Sequence, residues 1–294
     1  MQSAQSSASL FPVHARSRSR FVRILRRHPT MIAGGVLLLL MVLIGAFAPV
    51  LGTSDPLNIN PIERLRAPSG DHWFGTDMLG RDVYSRTLYG SRISLAVGIC
   101  VALVSTSVGL LIGVFSGYNR IVDSVVMRVM DGLMAIPAIL LAIALMALTK
   151  ASVYAVIVAI SIPEIPRVVR LVRGLVLTIR ENAYVEAANA LGAGFLRVVM
   201  RHILPNTLTP LIVQGTYICA SAVIFEAYLS FLGAGTPPEI PSWGNIMAEG
   251  RIYIQLGFWI VLFPGICLGL TVLAINLLGD GLRDTLDPRL AKRM

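Results

Sequence analysis

The chain has 294 residues, 55% of them hydrophobic and only 14% charged, with a mean hydropathy of +0.73. A soluble domain carries roughly 25% charged residues, so these values exclude an ordinary water-soluble globule and indicate a membrane protein. The net charge of +9 would suit nucleic acid, but the basic residues flank apolar runs, where positive charge sets topology, and no nucleic-acid partner is expected.

Residues 1–30 are polar and basic, with Arg16, Arg18, Arg20, Arg23, Arg26 and Arg27 after a Ser-rich start. That composition suits a disordered tail or a short amphipathic lead-in. Residues 31–51 carry no charge, and at about 1.5 Å per residue they cross a hydrocarbon core of ~30 Å. Ala46-Phe47-Ala48 resembles a signal cleavage site. The run is longer than a signal core, however, and Pro49 would follow the scissile bond, so an uncleaved first span is expected. Residues 52–92 are polar, with Pro56, Pro61 and Pro68, and form an extracytoplasmic loop, in which Gly75-Thr76-Asp77 and Gly80-Arg81-Asp82 read as turn and capping chemistry leading into the next span. A second span covers about 93–115, and a short loop with Arg120, Asp123 and Arg128 follows. The third span, about 132–149, contains Pro137, a kink site. Lys150 and Ser152 turn into a fourth span at 153–171, interrupted by Pro163, Glu164 and Pro166. Residues 172–206 are polar and helix-forming. The fifth span covers about 207–232 and the sixth 257–278; between them Pro237, Pro238 and Pro241 stiffen an outer loop before Trp243, whose indole suits an interfacial position.

The expected fold is an all-α membrane protein of about six transmembrane helices, or five if the fourth span is re-entrant. In domain terms, 1–30 is a cytoplasmic tail, 31–51 the first helix, 52–92 an outer loop, 93–278 a five-helix core and 279–294 a cytoplasmic tail. With the N-terminus inside, eighteen of the 25 Lys and Arg residues fall on the inner side, seven on the outer side and none within a span. Positive charge favours the cytoplasm, so both termini are expected there.

Cys100, Cys219 and Cys267 lie in apolar stretches without metal-ligand spacing. The chain has no phosphate loop, no H-E-x-x-H and no nucleophile elbow with partners. No catalytic residue, metal or cofactor is expected. Acidic groups at membrane depth are expensive and mark function. Glu226, with Gln214 three turns before it, is therefore a pathway candidate. It reads equally as a cap or anchor near the outer surface, and Glu164 falls toward the cytoplasmic side.

The most informative stretch is ENAYVEAANALGAGFLRVVMRHILPN, residues 181–206. It reads as two short helices broken at Gly192-Ala193-Gly194. Ala183, Ala187 and Ala190 give the first a face of small residues. Leu191, Phe195, Val198 and Val199 form an apolar stripe opposite Arg197 and Arg201, and Pro205 is expected to end the second helix. Periodicity alone leaves open an amphipathic loop lying on the membrane surface.

Glu186-Ala187-Ala188, Gly192, Leu204 and Pro205 resemble the EAA loop of ABC importer permeases: E-A-A, three residues, G, nine residues, I, one residue, L-P. His202 stands in the isoleucine slot, as in R-H-I-L-P-N sequences of the peptide-type branch. Residues 72–95, 226–247 and 276–289 are similar to the second permease of dipeptide, oligopeptide and nickel importers. The resemblance implies a bacterial cytoplasmic-membrane, multi-pass permease subunit, without catalytic residues of its own. It implies a heterodimer with a second permease, one or two cytoplasmic ABC ATPase subunits, an extracytoplasmic substrate-binding protein and surrounding lipid. The EAA loop would dock on the ATPase. Short peptides are the leading substrate class, with glutathione, opines, sugars and nickel complexes as others. A secondary transporter is the rival; it would carry charges in several spans and an inverted repeat, and Glu226 is the one serious candidate for such a charge.

Overall fold

The computed structural model describes residues 29–286. The basic N-terminal tail lies outside them except for its last two residues, as do residues 287–294 of the C-terminal tail. Among the described residues regular structure is helical, apart from one isolated bridge between Thr76 and Asp82. The helices are α1 (Pro29–Ala46), α2 (Val83–Tyr118), α3 (Arg120–Met134), α4 (Ala138–Ala147), α5 (Val153–Arg180), α6 (Ala183–Ala190), α7 (Phe195–Val198), α8 (Leu204–Phe231), α9 (Trp243–Gly250) and α10 (Trp259–Leu286).

Among the described residues, four helical segments are long and apolar enough to cross a membrane: α1, α2, the continuous run Phe195–Phe231, and Trp259–Thr285. The pair α3 and α4 makes a fifth if counted as one broken span, bent by 89°. The expected kink at Pro137 is thus a break. Proline disfavours helical geometry in the residue before it, so α3 stops at Met134 and α4 restarts in a new direction after Pro137.

Helix α5 departs from expectation in two ways. Pro163 and Pro166 do not interrupt it, since it runs unbroken for 28 residues from its Ser152 cap, whose Oγ accepts from the Ala155 N–H at 3.1 Å. It also carries Glu164, Arg167 and Arg170 within its first 18 residues, which sets it apart from the helices long and apolar enough to cross a membrane. Charge at those positions accompanies a helix rather than ending one, and the polar stretch expected from residue 172 begins as a continuation of that helix to Arg180.

Along its length α5 is seamed to α2. Gly109, Gly113 and Gly117 repeat every four residues on α2, and Val168, Val172 and Val176 repeat likewise on α5. A Cβ built at Gly113 would lie 2.7 Å from Val172 Cβ. Such small-residue rows let backbones approach closely where lipid supplies no hydrophobic drive between helices. Val168, Val172 and Val176 are fully buried there and join a core contributed by α2, α4, α5 and α8. Helix α1 packs on α10 and leaves Leu39, Leu40 and Leu43 exposed on its outer side.

At the other end, residues 47–82 fold over the start of α2 and the helices α9 and α10. Phe74 stacks on Phe263 at 4.0 Å between ring centroids, and the Trp259 indole N–H donates to Thr76 O at 3.1 Å. Trp243, which the sequence places at a membrane interface, is instead fully buried and donates its indole N–H to Thr87 O at 3.0 Å.

Candidate functional site

The geometry of the 181–206 segment begins with α6. Its C-terminus closes by paired bonds, Ala193 N–H to Ala188 O at 3.0 Å and Gly192 N–H to Asn189 O at 2.9 Å. This is a Schellman cap, which requires a left-handed residue at the position Gly192 holds; its φ is +81°. The glycine of the motif is thus needed for backbone shape, since nothing lies within 4 Å of where a Cβ would sit.

The second expected helix is not separate. Helix α7 passes through a π turn, Val199–Ile203, directly into α8. Pro205 does not end it. The wide turn bonds Leu204 N–H to Val199 O, and Pro205 sits in the first turn of α8, where proline's missing donor is tolerated. Of the expected apolar stripe, Val198 is buried while Leu191 is 89% exposed. Phe195 packs against Tyr118 at the end of α2, with centroids 4.6 Å apart. Val185, Val198 and Ile203 anchor the segment to the bundle core. His202 lies beside the Tyr184 ring and accepts at its carbonyl from Asn206 Nδ2 at 2.6 Å, a structural role.

What remains is a surface. Tyr184, Leu191, Leu196 and Met200 are exposed, with Ala187, Ala190 and Glu186 among them. Ala188 is half-buried on the same helix, and Leu204 and Pro205 lie where α8 begins. Glu186 lines a polar cleft of about 450 Å³ with Arg120, Asp123, Arg173, Arg180 and Glu181. Arg180 closes the cleft against the bundle, its Nη1 donating to Gly117 O at 2.7 Å.

The two pathway candidates sit apart from this surface. Glu226 is fully buried, and its carboxylate accepts from Ser230 Oγ at 2.9 Å and Ser94 Oγ at 3.2 Å. Ser94 Oγ in turn accepts from Trp243 N–H at 3.3 Å. Glu226 therefore joins α8, α2 and α9. Gln214 is half-buried on α8.

A further cluster escaped the sequence reading. Arg86, with no exposed surface, donates through Nη1 to Asp77 Oδ2 and Glu249 Oε2, both at 2.6 Å. Arg81 pairs with the same two carboxylates, at 2.7 Å to Asp77 Oδ2. Asp77 also accepts from the Leu79 and Arg81 N–H groups, and Asp82 caps α2 by accepting from Ser85 N–H at 2.7 Å. The turn chemistry legible in Gly75–Asp82 is present; its tie to Glu249 was not visible. His72 bridges Asp82 at 3.0 Å and Glu63 at 3.3 Å. Burial disfavours its charged form, but hydrogen bonds and charge from Asp82 and Glu63 carry its pKa above the ordinary value. Among the described residues no His, Cys, Asp or Glu group of three or more could hold a metal ion.

Residues 109–292 match the family described as binding-protein-dependent transport system inner membrane component, and residues 18–68 match the N-terminal TM domain of oligopeptide transport permease C. A probable peptide ABC transporter permease protein of Sinorhizobium fredii is 55% identical over 272 residues, covering 92% of this chain and 93% of that protein. A dipeptide transport system permease protein of Alkalihalophilus pseudofirmus is 41% identical over 267 residues, covering 90% and 88%. A glutathione transport system permease protein of Pectobacterium atrosepticum is 42% identical over 270 residues, covering 91% and 89%. In fold, the chain is similar to a chain of the inward-facing MetNI methionine ABC transporter, with TM-score 0.57 and 21% identity over 69% of this chain and 96% of that one.

Proposed function

The chain belongs to the binding-protein-dependent transport inner-membrane family, and from that premise we propose that it passes short peptides inward, coupled to ATP through residues 181–206. It is a non-catalytic, multi-pass permease subunit of an ABC importer, and ATP hydrolysis belongs to separate subunits. The peptide reading comes from the relatives, whose names include peptide, dipeptide and glutathione systems. The proposed partners are a second permease, one or two ATPase subunits and an extracytoplasmic binding protein.

The topology we propose counts α1, α2, the bent pair α3–α4, α5, the α7–α8 run and α10 as six crossings. An even number brings both termini to one side, and the excess of basic residues assigns that side to the cytoplasm. Gln214 is kept as a pathway candidate, whereas the enclosure of Glu226 by serines favours its role as a helix junction.

One observation carries the coupling role: an exposed apolar patch on α6 and the segment after it, beside the accessible Glu186. Contiguous exposed apolar surface marks a partner site. Its small alanines allow close approach, and Leu191 and Leu196 offer apolar anchors. Affinity purification from native membranes in mild detergent should recover a second permease and ATPase chains. Glu186→Lys should lose the ATPase chains and uptake while keeping the second permease. Retention of the ATPase and normal uptake in that variant would overturn the coupling role. Recovery of the chain alone, with gradient-driven uptake, would overturn the assembly.

A further inference from the structure

Helix α5 presents two different sides, and the valine seam with α2 fixes their depth. The apolar part of α2, residues 93–115, is centred near residue 104. Val168 lies against Gly109. At about 1.5 Å per residue, Arg167, Arg170 and Arg173 then stand about 6, 11 and 15 Å from the middle of a core ~30 Å thick. The first two are inside the hydrocarbon depth and the third is at its edge.

Each is paired. Arg167 Nη1 donates to Glu164 Oε2 at 3.0 Å, Arg170 pairs with Asp131 of α3, and Arg173 Nη2 donates to Asp123 Oδ2 at 2.6 Å. Arginines at such depth can reach out to the headgroups by extending along the helix. Arg167 does the opposite, since its partner Glu164 lies one turn nearer the membrane centre. Yet the Arg167 side chain is 56% exposed and that of Glu164 only 1%. The deepest pair hides its anion and displays its cation. A lipid tail is an unsuitable neighbour for that guanidinium; water or a polar solute is a suitable one.

Resting on the peptide-importer reading above, we infer that this charged side of α5 is the wall of an aqueous pathway and that Arg167 presents its guanidinium to a carboxylate of the passing solute. A guanidinium fork matches a carboxylate in geometry as well as charge. A short peptide brings such a group at its C-terminus. Arg170 and Arg173, with their acidic partners, continue the polar wall toward the coupling loop.

Two measurements on the assembled transporter test this. With Cys100, Cys219 and Cys267 replaced by alanine, Arg167→Cys and Arg170→Cys should react with a charged, membrane-impermeant thiol reagent at least tenfold faster than Leu103→Cys, an exposed position on the apolar part of α2. Rates equal to that of Leu103→Cys would overturn the aqueous wall. In vesicles containing the whole complex, trialanine should enter at least tenfold faster than trialanine amide, and Arg167→Gln should bring that ratio close to one. Equal entry of both peptides into unaltered vesicles, or an unchanged ratio in Arg167→Gln, would overturn the carboxylate role. If the unaltered complex imports neither peptide, the peptide reading and the carboxylate role resting on it both fail, and the labelling rates decide the wall independently.

Discussion

Exchanging the partners of the α2–α5 seam tests whether close approach of these helices organises the bundle. A Cβ at Gly113 would stand 2.7 Å from Val172 Cβ, 2.9 Å from its Cγ1 and 3.0 Å from Val169 O, whereas carbon atoms pack best at about 3.5–4.0 Å. Gly113→Val therefore forces the helices apart by roughly 1 Å. The seam cannot yield locally, because Gly109 and Gly117 bring it equally close on either side and Arg180 ties its end to Gly117 O. Overpacking of this kind costs about 1–3 kcal/mol, and the upper end applies where two helices must move together. At about 2–4 °C per kcal/mol for a chain near this size, the detergent-solubilised transporter should melt several degrees lower. Adding Val172→Gly returns the missing space on the opposite helix at nearly constant volume, a change that costs under about 1.5 kcal/mol. The double variant should recover most of the loss in thermal denaturation followed by size-exclusion chromatography. A single variant melting with the parent, or a double variant no better than the single, would refute the reasoning.

The buried outer network predicts an asymmetry: Arg86→Met strands Asp77 and Glu249 with Arg81 alone and should cost about 3–5 kcal/mol, whereas Glu249→Gln, at a partly exposed site, should be much milder; equal folded yields would contradict this. His72 titrates above its ordinary value in the folded loop, so its protonated form stabilises the loop fully below about pH 6.5 and that contribution fades as pH rises through the raised value. Protease resistance of the outer loop should accordingly fall between pH 5 and pH 8, and His72→Gln should flatten the slope; an unchanged slope would exclude the histidine. Gly192→Ala places a side chain at φ +81°, costing about 1–2 kcal/mol, and should weaken ATPase retention partially where Glu186→Lys abolishes it.

Local chemistry was legible and distant partnership was not. Gly192 and the E-A-A run marked residues 181–206 because a cap and a small face are written within a few residues. Asp77 and Asp82 were recognisable as turn and cap residues for the same reason. Arg86 was not, since its carboxylate partner Glu249 lies 163 positions away and no local pattern announces a buried ion pair. Trp243 misled in a similar way. An indole near a predicted membrane boundary suits the interface, but here Thr87 O supplies the acceptor that lets it be buried whole. Proline was read too literally. Pro137 breaks its helix, while Pro163 and Pro166 remove donors from α5 without ending it, because the valine row beside them is held along its length by α2.

The charges of α5 show why a hydropathy reading ends such a helix early. Hydropathy averages around the helix, and α5 is apolar on one side only. Val168, Val172 and Val176 recur every four residues and pack on α2. Glu164, Arg167, Arg170 and Arg173 recur every three, a row that winds around the helix: Glu164 is buried near the packed side, Arg167 lies on one flank, Arg170 stands opposite, and Arg173 comes round to the other flank, its carbonyl facing Gly117. Averaged together, these rows resemble the polar end of a span. Taken separately, and on the topology and pathway proposed above, they give α5 one side packed on the helix bundle and another turned toward a solute path. On that proposal, the feature that lowers α5's apparent fitness as a span is the one that suits it to transport.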